Sequence, residues 1–403
     1  MKRPCSILLA LFLALQPLAG QVSAAGRVAG SAGDGRAVAG DEGLVMEEQR
    51  GVWLATVVGL DWPRGERSHF VQRSELISNI RDLAAMGCNT LYFQVVSEMD
   101  AMYASDILPW SRQLTGVEGM SPYFDPLSIA VRVAHDNGMA IHAWINPLRV
   151  SLSDSTFRAH TQVKHEHPEW VHNYGGREYL DPGNPEVVQF LSDITREILT
   201  RYDVDGIHID DYFYPDGLRE DSRGWSEPGA WNDSTLYAAY GKGLSLEEWR
   251  FSNIDSVVTA LHRTTHEVKP QALFGVSPQG RVSNTCRLYA DPRRWVAQGS
   301  VDYILPQLYW SIGRGDFAAF PKVLKEWESV MKGLPLYIGL AAYKHDPMFW
   351  RRRVDSGFRN VEEFGRQIEM VRSCGYAGGH VWFRAQDLLE REDLKEYILD
   401  NIY

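Results

Sequence analysis

Eight short runs rich in β-branched and aromatic residues recur along this chain, each followed by a stretch with helical periodicity. The runs are Gly51–Val58, Thr90–Val96, Ala140–Ile145, Gly206–Asp210, Ala272–Ser277, Tyr303–Leu308, Leu336–Leu340 and Gly379–Phe383. The segments between and after them read as helices: Ser74–Met86, Asp125–Asn137, Pro185–Arg201, Ser245–Lys269, Pro292–Gln298, Phe317–Lys332, Val361–Ser373 and Asp387–Ile402. Gly87, Gly138 and Gly375 follow three of these segments and supply the left-handed stop a helix end favours. Parallel strands joined by helices must be covered on both faces, and eight of them close into a barrel. The expected fold is α/β, a (β/α)8 TIM barrel forming a single domain. An open doubly wound sheet is the alternative, but no Gly-x-Gly-x-x-Gly follows the first run.

The remainder of the chain reads differently. Residues 1–24 carry Lys2 and Arg3, an apolar run from Ile7 to Leu15 and a small-residue site at Val22-Ser23-Ala24, the pattern of a secretory signal. The apolar run is too short to span a bilayer, so no stable membrane insertion is expected. No cysteine follows the cleavage point to carry a lipid. An exported product, periplasmic or secreted, is expected. Residues 25–48 are small and aperiodic, a flexible leader, and residues 49–403 contain no second linker or repeat. Losing Lys2 and Arg3 takes the net charge from −11 to −13, which argues against nucleic acid as a partner. Cys88, Cys286 and Cys374 would remain; three thiols cannot all pair, and their spacing is not that of metal ligands. Buried thiols are expected, with one disulfide left open.

A barrel places its active face at the C-terminal ends of its strands. The fourth run is the most telling: Asp205-Gly-Ile-His-Ile-Asp-Asp-Tyr-Phe-Tyr-Pro215 delivers two adjacent carboxylates, a histidine and three aromatics to one strand end. Alternation sends His208 and Asp210 to the lumen and Ile207, Ile209 and Asp211 the other way. The same residues would also serve as a helix-capping Asp211 beside a hydrogen-bonded core His208, so the other ends must decide. They offer Asp61 after the first strand; Gln94, Glu98 and Asp100 at the second; His142, Trp144, Asn146 and Arg149 at the third. The fourth adds Tyr212, the fifth Ser277-Pro278-Gln279, the sixth Gln307, Tyr309 and Trp310, the seventh Tyr343-Lys344 and the eighth Trp382 and Arg384.

Carboxylates among aromatics and amide or imidazole donors, with no phosphate-binding glycine loop, suit glycoside hydrolysis. That reaction needs a proton donor for the leaving oxygen and an anion supporting the oxocarbenium-like centre. Asp210 is the first candidate for a catalytic carboxylate, with Asp211, Glu98, Asp100 and Asp61 as possible partners. Gln94, His142, Trp144, Asn146, Arg149, His208, Tyr212, Gln307, Tyr309, Trp310, Trp382 and Arg384 are candidates for holding a glycan. With 13 Trp the chain has stacking faces for pyranose rings. The segment from Asp216 to Leu244, with Trp225, Trp231, Tyr237 and Tyr240, reads either as a cleft wall or as a self-packed loop. No cofactor is called for. Two other functions stay open: a carbohydrate-binding barrel without turnover, and a metal-dependent hydrolase using His142, His208 and Asp210. The second lacks a His-x-His in the first strand and a bridging lysine.

On these motifs the chain resembles the glycosyl-hydrolase-like 10 family. The shared elements are Arg50-Gly-Val-Trp-Leu-Ala-Thr56, Phe93-Gln-Val95, Asp100-Ala101 with Tyr103, Pro109-Trp-Ser111 with Leu114-Thr-Gly116, and His142-Ala-Trp-Ile-Asn-Pro147 with Arg149. Further along come Leu180-Asp-Pro-Gly183, the fourth-strand motif, Phe274-Gly-Val-Ser-Pro278, Pro306-Gln-Leu-Tyr-Trp310 and Trp382-Phe-Arg384. The resemblance implies an exported TIM-barrel glycosidase, similar to periplasmic hydrolases of peptidoglycan strands stripped of their stem peptides. Such strands are N-acetylated and β-linked, which fits a scheme in which one carboxylate orients the 2-acetamido group and its neighbour protonates the leaving oxygen. The family usually writes Gln-Val-Arg-Pro after the second strand, whereas Val96-Ser97 stands here in place of Arg-Pro. Arg149 and Arg384 are the candidates to supply the missing charge. The extra C-terminal β-domain of many family members is not expected after the eighth helix.

Overall fold

A computed structural model describes residues 48–152, 162–316, 318–331, 333–347, 349 and 355–403. The expected signal and the expected leader up to residue 47 lie outside the described residues, whereas Glu48, placed in the leader by expectation, is held by Arg372 at 2.8 and 2.9 Å. Eight strands form one parallel sheet: β1 Gln49–Leu54, β2 Thr90–Val96, β3 Ala140–Ile145, β4 Gly206–Ile209, β5 Leu273–Val276, β6 Tyr303–Ile304, β7 Ile338–Leu340 and β8 Gly379–Trp382. Their order is β7-β8-β1-β2-β3-β4-β5-β6. Single parallel bridges, Ile304 to Leu336 and Gln307 to Gly339, join β6 to β7 and close the ring.

The helices α1 His69–Ala85, α2 Pro126–Asp136, α3 Pro185–Arg201, α4 Leu246–Val268, α5 Pro292–Gln298, α6 Phe320–Glu328, α7 Glu362–Ser373 and α8 Glu392–Asn401 accompany these strands. Three start by one device, an Asx cap followed by proline. Asp125 accepts from Ser128 N–H, Asn184 from Glu186 N–H and Asp291 from Arg293 N–H, while the proline at the first helical position gives up no needed donor. In α4, Ser245 accepts from the backbone N–H of Glu248. No helix among the described residues is long and apolar enough to cross a membrane.

The lumen is filled by a separate aromatic-rich cluster of Trp53, Ala55, Tyr92, Trp144, Tyr303, Leu305, Tyr337 and Val381. Glycines make room for these rings. A Cβ at Gly275 would lie 1.7 Å from the Tyr303 ring, and one at Gly206 would lie 2.4 Å from the His142 ring. Large side chains on one strand thus interlock with missing ones on its neighbour. The outward faces, such as Leu91, Phe93 and Val95 of β2, pack into the cluster shared with the helices.

Several boundaries differ from expectation for identifiable reasons. The first strand ends at Leu54 rather than Val58, because side chains take over its backbone donors: Asp61 accepts from Ala55 N–H and Gln94 from Thr56 and Val57 N–H. The sixth pairs only over Tyr303–Ile304, since Pro306 has no N–H to offer a ladder. Helix α1 begins five residues early, at His69, where exposed Phe70 and Val71 spoil the apolar period. The eighth helical segment breaks at Arg391 into Ala385–Glu390 and α8. Phe317 and Lys332, the expected ends of the sixth helix, lie outside the described residues. Cys88, Cys286 and Cys374 are free thiols.

Candidate active site

The floor of the barrel mouth is set by one indole. Trp53 Nε1, which can only donate, points at His208 Nε2 across 3.2 Å. His208 therefore carries its proton on Nδ1, 3.2 Å from the Tyr303 hydroxyl, which also lies 3.0 Å from His142 Nδ1. Burial and the neighbouring His142 hold the His208 pKa well below the ordinary imidazole value, so it is neutral. Both ring nitrogens of His208 are engaged, and it is not offered as a metal ligand alongside His142 and Asp210; this corrects the metal-hydrolase alternative.

Asp210 stands above this floor. Its Oδ2 accepts from Trp144 Nε1 at 3.0 Å and Asn146 Nδ2 at 3.1 Å, while its buried Oδ1 has no partner among the described residues. Asn146 is oriented in turn, its Oδ1 accepting the Arg149 backbone N–H at 3.2 Å. Burial raises the Asp210 pKa to about 6 against the opposing pull of the Arg149 charge and the Trp144 donor.

Asp211 does not stay on the far side of the strand. Gln307 Nε2, which also reaches Ser277 Oγ at 3.3 Å, lies 3.4 Å from Asp211 Oδ1, and Gln279 donates to the same carboxyl. Burial, then the charge of Asp210, pushes Asp211 well above the carboxylate range. The site thus holds two adjacent buried carboxyls, both raised, with the charge of Asp210 adding to burial at Asp211.

Arg149 belongs to a small antiparallel side sheet of Arg149–Ser151, Val171–Tyr174 and Arg177–Leu180. Its Nε donates to the Ser97 carbonyl at 3.0 Å, and its guanidinium carbon lies 4.2 Å from the centre of the Tyr212 ring. Ser97 thus anchors an arginine at the mouth through its backbone. Arg384 is committed elsewhere, to Asp61 Oδ1 at 2.6 Å and the Leu60 carbonyl at 2.9 Å. Asp61, fixed by Arg384 and by the N–H groups of Ala55 and Gln386, closes the β1 end. Gln94 likewise spends its Oε1 on the Thr56 and Val57 N–H groups, leaving a buried Nε2 without a partner among the described residues.

Glu98 and Asp100 form a second acidic group in the loop after β2. Glu98 accepts from Leu152 N–H at 3.0 Å and lies 3.4 Å from Arg112 Nη2. Asp100 accepts from Ser97 Oγ at 3.4 Å, and burial together with Glu98 raises it to about 6. Glu118, which the sequence reading passed over, joins them; burial and the charge of Asp100 push it to about 7.

The opposite wall is aromatic. Tyr309 lies 5.7 Å from Phe383 and 5.6 Å from Tyr343, and Phe383 lies 5.9 Å from Trp53. Trp310 is half-buried and lies against Gly280. Trp382 is not brought to this wall. It is fully buried toward the helix layer, beside Phe364, with its Nε1 donating to the Tyr403 hydroxyl at 3.1 Å. Strand alternation accounts for the correction: Val381 faces the lumen, Trp382 faces outward, and Phe383 returns to the mouth. The same alternation applied to β1 would have singled out Trp53.

The loop after β4 is packed on itself. Arg250 of α4 grips Asp233 through Nε at 2.8 Å and Nη2 at 3.0 Å, both groups fully buried, and Trp225 Nε1 donates to Asp233 Oδ1 at 2.8 Å. Trp231 is buried among His172, Tyr179 and Tyr214. Cavities of about 620 and 360 Å³ open among the loop residues, the first lined by Trp225 and Tyr237.

A closed (β/α)8 barrel with paired carboxyls, amide donors and an aromatic wall at its mouth has the architecture of a TIM-barrel glycoside hydrolase. The model of the family described as Glycosyl hydrolase-like 10 matches residues 48–350, and the chain belongs to that family. Glycosyl hydrolase YngK of Bacillus subtilis (strain 168) is 35% identical over 364 residues, spanning 85% of this chain and 69% of that protein. Glycosyl hydrolase DigH of Escherichia coli (strain K12) is 36% identical over 393 residues, spanning 87% and 86%. Among solved structures, the PgaB (BpsB) glycoside hydrolase domain from Bordetella bronchiseptica matches with a TM-score of 0.54 at 13% identity, over 89% of this chain and 99% of that one. The catalytic domain of β-amylase from Paenibacillus polymyxa matches at 0.51 and 12% identity, over 87% and 97%. These two likenesses share the barrel. The enzyme class of this chain is that of its family, glycoside hydrolase.

Proposed function

We propose that this glycoside hydrolase cleaves β-linked, N-acetylated glycans with help from the substrate's own 2-acetamido group, and that peptide-free peptidoglycan strands are its substrate. The observation carrying the proposal is the adjacent buried pair Asp210 and Asp211, the first held by Trp144 and Asn146 and the second beside Gln307. In this scheme the acetamido oxygen attacks the anomeric carbon as the bond to the leaving oxygen breaks, and Asp211 gives that oxygen its proton. Asp210, ionised at neutral pH, accepts the acetamido N–H at its free Oδ1 and supports the positive charge of the cyclic intermediate. Water then adds at the anomeric carbon and returns a proton to Asp211, with net retention of configuration. The partnerless Nη2 of Arg149 and Nε2 of Gln94 supply donors for the glycan, and Trp144 and Tyr309 supply ring faces. Glu98 and Asp100 serve as a polar wall beside the pair. The signal-like residues 1–24 support action outside the cytoplasm, periplasmic or secreted.

The test incubates the mature chain, Asp210→Asn and Asp211→Asn with peptide-free peptidoglycan strands and with the same strands after chemical de-N-acetylation, reading products by mass spectrometry. Release from acetylated strands by the parent alone is expected. Equal release from de-N-acetylated strands would remove the acetamido role, and strand binding without products would leave a carbohydrate-binding barrel.

A further inference from the structure

At the opposite end of the barrel, the last turns of α4 present His262 and His266 one turn apart, and both imidazoles turn to Asp302, the residue just before β6. One ligand atom from each of His262, His266 and Asp302 lies within 4.8 Å of the other two, and the three side chains keep 22%, 32% and 21% of their exposure.

The contacts of His266 set which nitrogen faces Asp302. Its Nδ1 lies 3.2 Å from the Pro270 carbonyl, which can only accept, so that contact is a hydrogen bond in the Nδ1–H tautomer. In that tautomer the Nε2 lone pair turns toward Asp302, whose two oxygens lie 2.9 and 3.1 Å away, and an ion bonded to Nε2 would meet the carboxylate there.

The three groups are gathered on the scale of one ion's shell. An ion with tetrahedral bonds of about 2.0–2.2 Å separates its ligand atoms by roughly 3.3–3.6 Å. Asp302 Oδ1 lies 3.4 Å from His262 Nε2, at such an edge, whereas His266 Nε2 lies closer, 3.1 Å from Oδ1 and 2.9 Å from Oδ2, and its ring would draw back slightly to admit an ion. The supporting contacts are those of a metal site. Asp302 Oδ2 accepts the Phe274 N–H at 2.7 Å, which turns Oδ1 toward both imidazoles, and the Pro270 carbonyl holds the His266 tautomer whose Nε2 lone pair faces the carboxylate.

We propose that His262, His266 and Asp302 bind one divalent transition-metal ion, zinc by its preference for two imidazoles and a carboxylate, with solvent in the fourth position. The ion ties the C-terminal end of α4 to the starts of β5 and β6. The site lies on the face of the barrel that serves stability, so it acts on folding and not on the reaction at the mouth.

The test uses the mature chain, stripped with chelator and titrated with zinc by calorimetry at neutral pH, with cobalt(II) as a spectroscopic substitute. One equivalent should bind, the melting temperature should rise with it, and the cobalt spectrum should lack thiolate charge-transfer bands, which excludes the three free cysteines. His262→Gln removes the ligand with the longest contact and leaves the Asp302–Phe274 and His266–Pro270 bonds in place. It should weaken binding by at least about tenfold, since changes to outer contacts alone cost 10–100-fold. Absence of binding by the parent chain would overturn the proposal. Unchanged affinity in His262→Gln, or thiolate bands with cobalt, would overturn it too.

Discussion

The indole N–H of Trp144, on β3, donates to Oδ2 of Asp210, at the end of β4, across 3.0 Å. One neutral donor thus fixes both the direction of the carboxylate and part of its acidity. Replacing it with a ring that cannot donate separates these effects from stacking. Trp144→Phe removes support for the ionised form, so the Asp210 pKa rises above its present value of about 6. If Asp210 acts ionised, the acidic limb of the pH–rate profile moves to higher pH and turnover at neutral pH falls about 10- to 100-fold. The profile of kcat/KM against pH checks both.

Asp211→Asn retains shape and removes the proton. Turnover should fall about 10²–10⁴-fold, with a smaller effect for substrates whose leaving group needs no protonation. Comparing an activated aryl glycoside with a natural oligosaccharide reads the difference.

The raised carboxyls also cost stability at neutral pH. Well below pH 3.8 Asp210 is protonated in both folded and unfolded chains. As pH rises through the unfolded value of 3.8 toward about 6, the unfolded chain ionises first and the fold loses stability. A shift of this size corresponds to about 2–3 kcal/mol at full burial. Asp210→Asn should therefore melt higher than the parent at pH 7, with the gain shrinking toward zero only below about pH 3. Thermal melts across that range test it; a constant difference would assign the gain to packing instead.

The buried pair Asp233 and Arg250 pins the loop after β4 to α4. Asp233→Asn strands a buried guanidinium and should cost about 3–5 kcal/mol in urea denaturation. The double change Asp233→Leu with Arg250→Met should cost less than the single one, because no charge is left without its partner.

Gly275→Ala should destabilise the barrel by at least about 1–3 kcal/mol, since its methyl would displace the Tyr303 ring on which His142 and His208 rest. Urea titration reads the loss. A matched drop in turnover would show that the floor positions the residues above it.

The barrel was legible because each strand announces itself by a β-rich run and each helix by its caps; Asp125-Pro126, Asn184-Pro185 and Asp291-Pro292 are local signals needing no tertiary context. Alternation also placed His208 and Asp210 in the lumen. It failed where the regular strand ended. Asp211 lies beyond Ile209, so its side chain turns to Gln307 instead of following the pleat. Trp382 reads as a mouth residue from its place at a strand end, although the pleat assigns the mouth to Phe383. Glu118 was invisible because its place beside Asp100 depends on how the long connection between β2 and α2 folds back on itself. Arg384 and Asp61 read as mouth residues, but their side chains satisfy each other.

The orientation of Trp53 has a further consequence for anyone titrating this enzyme. A neutral-range ionisation in a site with two histidines would by habit be ascribed to imidazole. Here the indole occupies the one nitrogen of His208 that could gain a proton, so protonating that ring would require breaking open the barrel floor. An inflection near pH 6 that survives in the folded enzyme is therefore not the signature of His208, and carboxyl chemistry is the first place to look for its origin.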